Sequence, residues 1–336
     1  MEKISLSEKF LIAGSSGMVG SSIYRTLKKY GYGNKNKKGV IYTPTRKDLD
    51  LLKKDEVYAW FKKYNPTVVI IAAAKVGGIY ANSKQPVEFL LENLKIQTNL
   101  IEASWKFKVK RLLFLGSSCI YPKLAEQPIK EEYLLSGDLE KTNESYALAK
   151  ITGIKLCQAL AEQYQFDAIS LMPTNLYGPG DNYHPENSHV MASLIRKFYD
   201  ASKNSSKSVT CWGTGSPLRE FLHVDDLGDA VVFCLRKWDP KNANSPKKSN
   251  GESLYFLNVG TGKDLSIKEL AEKIATLTNF KGEIIWDESK PDGTMRKKLD
   301  VSRIKNIGWS PSIKLEDGIK MTLKSYEAEI RNFNPK

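Results

Sequence analysis

The chain has 336 residues, enough for two domains or one large one, and its apolar fraction of 41% and charged fraction of 26% describe an ordinary soluble globular protein. The longest unbroken apolar run, residues 68–74, is far too short to span a bilayer, and no charged-then-apolar leader opens the chain, so a cytoplasmic location is expected. The net charge of +13 would suit nucleic acid or a small polyanion; the lysines gather in polar segments such as 35–38 and 237–248 without aromatic interleaving, which favours steering of a phosphate-bearing ligand over nucleic acid.

Residues 10–13 form an apolar run that ends in GSSGMVG, after which Ile23, Leu27 and Tyr30 recur at helical spacing: strand, glycine turn, helix. In this GxxGxxG, Gly14 allows the tight turn, Gly17 lets a pyrophosphate approach the backbone, and Gly20 lets helix pack on strand. The next strand, 40–42, is followed by Thr43, Pro44, Thr45, Arg46 and Lys47 before the first Asp. An acid there would favour the free 2′-hydroxyl of NAD; its absence, with Arg46 in place, predicts NADP.

A short helical pattern over 57–64 leads to a third strand, 67–73, running into AAAKVGG, whose small residues would let a cofactor lie flat on the backbone or simply pack tightly. A long helix over 86–106 precedes a fourth strand, 111–115. This alternation predicts an α/β fold with a parallel sheet covered on both faces by right-handed crossovers. The fourth strand delivers Gly116, Ser117, Ser118 and Cys119 to the sheet end where such folds bind ligand, so a hydroxyl and a thiol can face one carbonyl and its neighbouring carbon.

A second long helix, 144–163, places Tyr146 and Lys150 one turn apart. YxxxK alone carries little information, because it recurs at Tyr24 and Lys28, Tyr58 and Lys62, Tyr80 and Lys84, and Tyr199 and Lys203. Tyr146 is set apart by following a strand that ends in serines. A further strand over 167–171 delivers MPTNLYGPGDN; beyond it the alternation becomes irregular, with helices near 190–201, 225–235, 267–278 and 315–332 and glycine- and proline-rich loops at 182–188, 213–217 and 237–251. We expect a dinucleotide-binding domain over 8–175 and a smaller mixed α/β substrate-binding region over 176–332, some of whose segments return to the first domain. The four cysteines, Cys119, Cys157, Cys211 and Cys234, are too scattered for metal-ligand pairs, so reduced thiols and no metal are expected.

GSSGMVG, GSSCIYP, YALAK, PTNLYGP and REFLHVDD, in that order, resemble the extended short-chain dehydrogenase/reductases that act on nucleotide sugars. More narrowly, AAAKVGGI, LGSSCIYPKLAEQP, ESYALAKITGIKLC, NSHV and KPDGTMRKKLD resemble the GDP-L-fucose synthase family, and the motifs span almost the whole chain. The resemblance implies a Rossmann-type doubly wound sheet, a homodimer through the two long helices, and NADPH-dependent conversion of GDP-4-keto-6-deoxy-D-mannose to GDP-L-fucose by two epimerisations and one reduction. It implies Ser117 as catalytic serine, Tyr146 as proton donor with Lys150 beside it lowering its pKa, and Cys119 and His189 as the pair that removes and returns protons beside the ketone. The thiol and the imidazole are the side chains whose ordinary pKa values lie nearest neutral, which suits that task.

For the cofactor, NADP(H), the resemblance implies Gly14, Ser15, Ser16, Gly17, Met18, Val19, Gly20, Arg46, Leu115, Gly116, Ser117, Ser118, Lys150, Pro173, Thr174, Asn175, Leu176 and His189. For the GDP-sugar it implies Lys197, Trp212, Arg219 and Asp292, Arg219 being suited to a diphosphate by its planar guanidinium. Some members carry Arg at the position of Ser16, which leaves the 2′-phosphate here to Arg46. A 4-epimerase or 4,6-dehydratase of the same fold is the nearest rival; the dehydratases place an Asp-Glu pair where this chain has Ser118 and Cys119. A non-enzymatic dinucleotide- or RNA-binding relative is the rival of a different class, opposed by the presence of serine, tyrosine and lysine together.

Overall fold

A computed structural model describes residues 2–185, 188–290 and 292–333. Its first half alternates as the apolar runs predict: β1 (Lys9–Ala13), α1 (Met18–Lys29), β2 (Val40–Tyr42), α2 (Lys54–Tyr64), β3 (Val68–Ile71), α3 (Ile79–Lys84), α4 (Pro86–Lys106), β4 (Arg111–Leu115), α5 (Glu144–Tyr164) and β5 (Ala168–Pro173). Every residue of β3, β4 and β5 is buried, as expected of parallel strands covered on both faces. The second half runs β6 (Asn175–Tyr177), α6 (Val190–Lys203), β7 (Ser208–Trp212), β8 (Leu218–His223), α7 (Val224–Lys237), β9 (Phe256–Val259), β10 (Asp264–Ser266), α8 (Ile267–Leu277), β11 (Glu283–Asp287), β12 (Arg296–Lys297), α9 (Ser302–Asn306) and α10 (Leu315–Phe333).

The main sheet has six strands in the order β2-β1-β3-β4-β5-β9, all parallel. Strand order reverses between β1 and β3, so the crevice beyond their carboxyl ends is where a doubly wound fold takes its ligand. β9 joins this sheet only after the excursion from β6 to α7, and α7, β9 and α9 pack into the same core as β1 to β5. A second core gathers Met191, Ile195 and Phe198 of α6, Leu270 and Ile274 of α8, and Ile319 of α10. Beside it lie a small sheet in which β8 pairs with β6, β10 and β12, and the two-stranded pair β11-β7.

α3, α9 and the short strands of the second half carry no apolar run long enough to announce them. β7 alternates exposed and buried residues, which puts Trp212 outward, 62% exposed. Among the described residues no helix is long and apolar enough to cross a membrane. Glu186 and Asn187 in the 182–188 loop and Pro291 of KPDG lie outside the described residues.

Candidate active site

Two turns at the carboxyl ends of β1 and β4, the strands on either side of β3, build the site. After β1, Gly14 adopts φ +87°, and an added Cβ would lie 2.6–2.9 Å from the backbone of Ala72 and Ala73. The AAAKVGG segment therefore packs directly on the glycine turn, as the packing reading of its small residues expects. Gly20 is equally constrained: a Cβ there would sit 2.1 Å from the Gly14 carbonyl oxygen. Gly17, the exposed N-cap of α1, differs, because an added Cβ would meet only that oxygen, at 3.6 Å. No side chain caps the N-terminus of α1 and no acid stands in its first turn, so its free N–H groups and helix dipole suit a pyrophosphate. Gly180 of the GPGDN loop borders this cradle, a Cβ there lying 3.7 Å from Met18 Cα. Arg46 is exposed in the turn after β2, where Asp48 accepts from the Thr45 N–H at 2.9 Å and hydroxyl at 2.7 Å.

After β4 the chain enters a single 3₁₀ turn (Ser118–Ile120) capped by Ser117, whose Oγ accepts from the Cys119 N–H at 3.2 Å. Gly116 is required beneath it, since a Cβ would come within 2.4 Å of Met172 Sδ on β5. α5 lays Tyr146 and Lys150 across this turn: Tyr146 lies close enough to Ser117 for that hydroxyl to act on its pKa, and Lys150 Nζ donates to the Leu115 carbonyl at 2.8 Å. Ser117, Cys119, Tyr146 and Lys150 thus converge at one sheet end, and the YxxxK that does so is the one that follows the serine strand.

Burial sets the electrostatics of this pair. Lys150 Nζ lies 5.9 Å from the centroid of the Tyr146 ring and is held by a carbonyl rather than by the phenol. Burial pushes the Lys150 ammonium down to about 7, and burial, reinforced by Cys119 and opposed by the Ser117 hydrogen bond, raises the Tyr146 hydroxyl well above its ordinary range. Lys150 is not among the groups that shift the Tyr146 hydroxyl.

His189 caps α6 without a side-chain capping bond, and the residue is exposed. Desolvation lowers its pKa. Among the described residues no hydrogen bond joins it to Cys119. Arg219, on β8, is half-buried; desolvation lowers its pKa against the pull of Cys119 and Asp292. Lys197 donates to the Thr210 carbonyl at 2.9 Å and lies 5.5 Å from the centre of the Trp212 ring, which Lys290 approaches at 5.8 Å. Asp292 accepts from the Thr214 N–H at 3.1 Å and its hydroxyl at 2.7 Å, bracing the turn after β7. Pro173 closes β5, and Thr174 and Asn175 both donate to the Glu220 carbonyl, fastening 173–176 to β8.

One contact was not foreseen. Lys297 Nζ lies 3.6 Å from Cys119 Sγ, brought there because β12 pairs with β8 and sets Lys297 opposite Arg219. The sequence offers Arg296, Lys297 and Lys298 in a row with nothing to distinguish them; only strand register selects Lys297.

With this geometry in hand, comparison with known proteins is specific. The profile of the NAD dependent epimerase/dehydratase family matches residues 10–246. The chain is 51% identical to "Probable GDP-L-fucose synthase 1" of Oryza sativa subsp. japonica, over 95% of this chain and 92% of that one. It is 47% identical to the GDP-L-fucose synthase of Escherichia coli (strain K12), over 94% and 95% respectively. Among solved structures, a GDP-6-OMe-4-keto-L-xylo-heptose reductase from C. jejuni superposes with a TM-score of 0.88 at 35% identity, covering 97% of this chain and 99% of that one. A GDP-L-fucose synthetase from Naegleria fowleri bound to NADP gives 0.83 at 27% identity, covering 98% and 96%. The uncapped helix behind an open glycine turn, the serine–tyrosine–lysine cluster at the end of β4 and the profile match over most of the chain have one source: the protein belongs to the NAD dependent epimerase/dehydratase family.

Proposed function

We propose that this protein catalyses the NADPH-dependent 3,5-epimerisation and 4-reduction of GDP-4-keto-6-deoxy-D-mannose to GDP-L-fucose. The observation that carries the reading is the Cys119 thiol beside the Ser117–Tyr146 hydroxyl pair, with Lys297 Nζ 3.6 Å from its sulfur. Reduction of a ketone has no need of a thiol, whereas inversion at the carbons beside the ketone needs a base. The relatives named GDP-L-fucose synthase, at 47% and 51% identity over most of the chain, support the same substrate.

The 3- and 5-hydrogens are acidic because the 4-ketone turns the resulting carbanion into an enolate. Ser117 donates to the 4-oxygen and holds its charge as the enolate forms. Cys119, as thiolate with the Lys297 ammonium beside it, removes the proton, and His189 returns one from the other face. The turn from Gly14 to Gly20 would hold the cofactor's pyrophosphate, Arg46 its 2′-phosphate and Lys150 its nicotinamide ribose; bound NADPH supplies the hydride for the 4-carbon. Tyr146, kept protonated by burial, gives its proton to the 4-oxygen. Arg219, with Lys197 and Trp212, takes the GDP moiety, and Asp292 shapes the turn beside it.

We also propose a two-fold homodimer through α4 and α5. These helices pack on each other within the chain, and they leave Val87, Leu91 and Leu148 exposed, at 66%, 47% and 42%. A monomeric mass in solution at micromolar protein would overturn it. The function is tested by supplying GDP-4-keto-6-deoxymannose with NADPH and identifying the sugar by NMR. GDP-L-fucose is expected; a 6-deoxy sugar with unchanged ring configuration, or no reaction, would refute the reading.

A further inference from the structure

We propose that Glu220 is a positioning residue for the epimerising half of the site: its buried carboxylate fixes the segment that presents Lys297 to Cys119. The inference rests on the function proposed above.

Glu220 is fully buried in the middle of β8, beside Arg219. One carboxylate oxygen accepts from the Leu299 N–H at 2.8 Å, and the other from the Gly262 N–H at 2.7 Å and the Thr261 hydroxyl at 3.4 Å. Its main-chain carbonyl accepts from Asn175 Nδ2 at 2.8 Å and Thr174 Oγ1 at 3.2 Å. One residue therefore ties together the segment after β5, the turn between β9 and β10, and the strand that carries Lys297. Gly260 is glycine to make room for it, since a Cβ there would fall 2.2 Å from Glu220 Oε1.

Among the described residues no cation pairs with this carboxylate. Without a cation partner this carboxylate gains no ion-pair energy against its burial, although it satisfies the Leu299 and Gly262 N–H groups that an apolar side chain would strand. What it supplies instead is register. β12 has two residues and cannot hold its own position by ladder bonds. The segment is clamped from both sides: Lys298 donates its N–H to Gln127 Oε1 at 2.8 Å and accepts from the Ile129 N–H at 2.8 Å, while Glu220 takes the next N–H, that of Leu299. Further bonds hold the same segment, Leu218 N–H to the Met295 carbonyl at 2.8 Å and Arg296 Nε to Asp264 Oδ2 at 2.6 Å, so loss of the Glu220 tether shifts Lys297 relative to the thiol rather than freeing it. Ser117 caps the turn after β4, Tyr146 and Lys150 stand on α5, and none of the three takes part in this clamp.

The test uses Glu220→Gln, whose amide group turns a donor toward one of the two backbone N–H groups and so loses one tether. Three rates are measured on the purified full chain: uptake of deuterium from solvent into the substrate carbons beside the ketone, oxidation of GDP-L-fucose by NADP⁺ at saturation, and alkylation of Cys119 by iodoacetamide at neutral pH, followed by peptide mass. Displacement of a catalytic group by about 1 Å costs on the order of 10²-fold, so deuterium uptake should fall by about 10- to 100-fold. Alkylation of Cys119 should slow by at least about threefold, because the thiolate is the nucleophile and its ammonium neighbour has moved. Oxidation should stay within about threefold, as the groups that serve it are untouched. Equal losses in deuterium uptake and oxidation, or an unchanged alkylation rate, would overturn the proposal. If the glutamine variant does not fold, Glu220→Asp, which retains the charge but falls a methylene short, is read by the same three rates. Absence of deuterium uptake by the wild-type protein would refute the proposed function instead, and the alkylation rate, which needs no substrate, would still decide the role of Glu220.

Discussion

Gly17 and Gly20 stand one helical turn apart, yet alanine at each should fail for opposite reasons. At Gly20 the new Cβ would lie 2.1 Å from the Gly14 carbonyl oxygen and 2.7 Å from Ser15 Cα. Ordinary contact requires about 3.5 Å, so α1 must move by about 1.4 Å. It cannot retreat, because Ser22 on its far side donates to the Val224 carbonyl at 2.9 Å and fills the space over Gly228 on α7. Overpacking of this kind costs about 1–3 kcal/mol, and the turn that would hold the pyrophosphate is deformed as well. At Gly17 the methyl enters open space, and an alanine N-cap costs at most about 1 kcal/mol relative to glycine. It does, however, occupy the approach to the N–H groups of α1; loss of one charge-assisted hydrogen bond, about 1.5–3 kcal/mol, weakens binding by about 10- to 100-fold. Urea unfolding and NADPH titration by fluorescence separate the two. Gly17→Ala should unfold like the wild type and bind NADPH poorly, whereas Gly20→Ala should lose both properties. Wild-type NADPH affinity in Gly17→Ala, or wild-type stability in Gly20→Ala, would refute the assignment of these glycines.

Tyr146→Phe should depress NADPH oxidation by about 10²- to 10⁴-fold, the worth of a positioned acid, while deuterium uptake beside the ketone continues; joint loss of both would mean that Tyr146 serves the inversions as well. Lys150 imposes a pH dependence on stability in the cofactor-free protein: the unfolded chain keeps this proton up to 10.5 and the folded one releases it at about 7, so stability should rise with pH between those values. Lys150→Met removes that contribution, and a stability difference between the two proteins that does not vary from about pH 7.5 to 9.5 would contradict the buried ammonium. Arg46→Ala should weaken NADPH and leave NADH nearly unchanged, and equal weakening of both would show that Arg46 does not read the 2′-phosphate.

The sheet was legible through β5 because parallel strands buried on both faces must be unbroken apolar runs, and α4 (Pro86–Lys106) and β4 (Arg111–Leu115) fall on the residues their patterns predict. The sixth strand, Phe256–Val259, was not, because nothing in a run of four residues says which sheet it will join after so long an excursion. Ser117, Cys119 and Tyr146 could be selected from the order of the motifs, even though YxxxK occurs elsewhere. Lys297 and Glu220 could not, since both act through the pairing of β8 with β12 and β10, a long-range register that no local pattern encodes. The Lys150 contact was not legible either: one helical turn puts Tyr146 and Lys150 on one face, but the ammonium donates to the Leu115 carbonyl, a partner set by the packing of α5 on β4.

The most direct test of two inversions and one reduction in a single site is to run the reaction in deuterated water with NADPH and one equivalent of GDP-4-keto-6-deoxymannose, and to locate the label in the product. The account predicts GDP-L-fucose carrying solvent deuterium at both C3 and C5, with one NADPH consumed per sugar. A Cys119→Ser protein that incorporates the label at the wild-type rate would remove the thiol from the mechanism, and product without deuterium at either carbon would contradict the account.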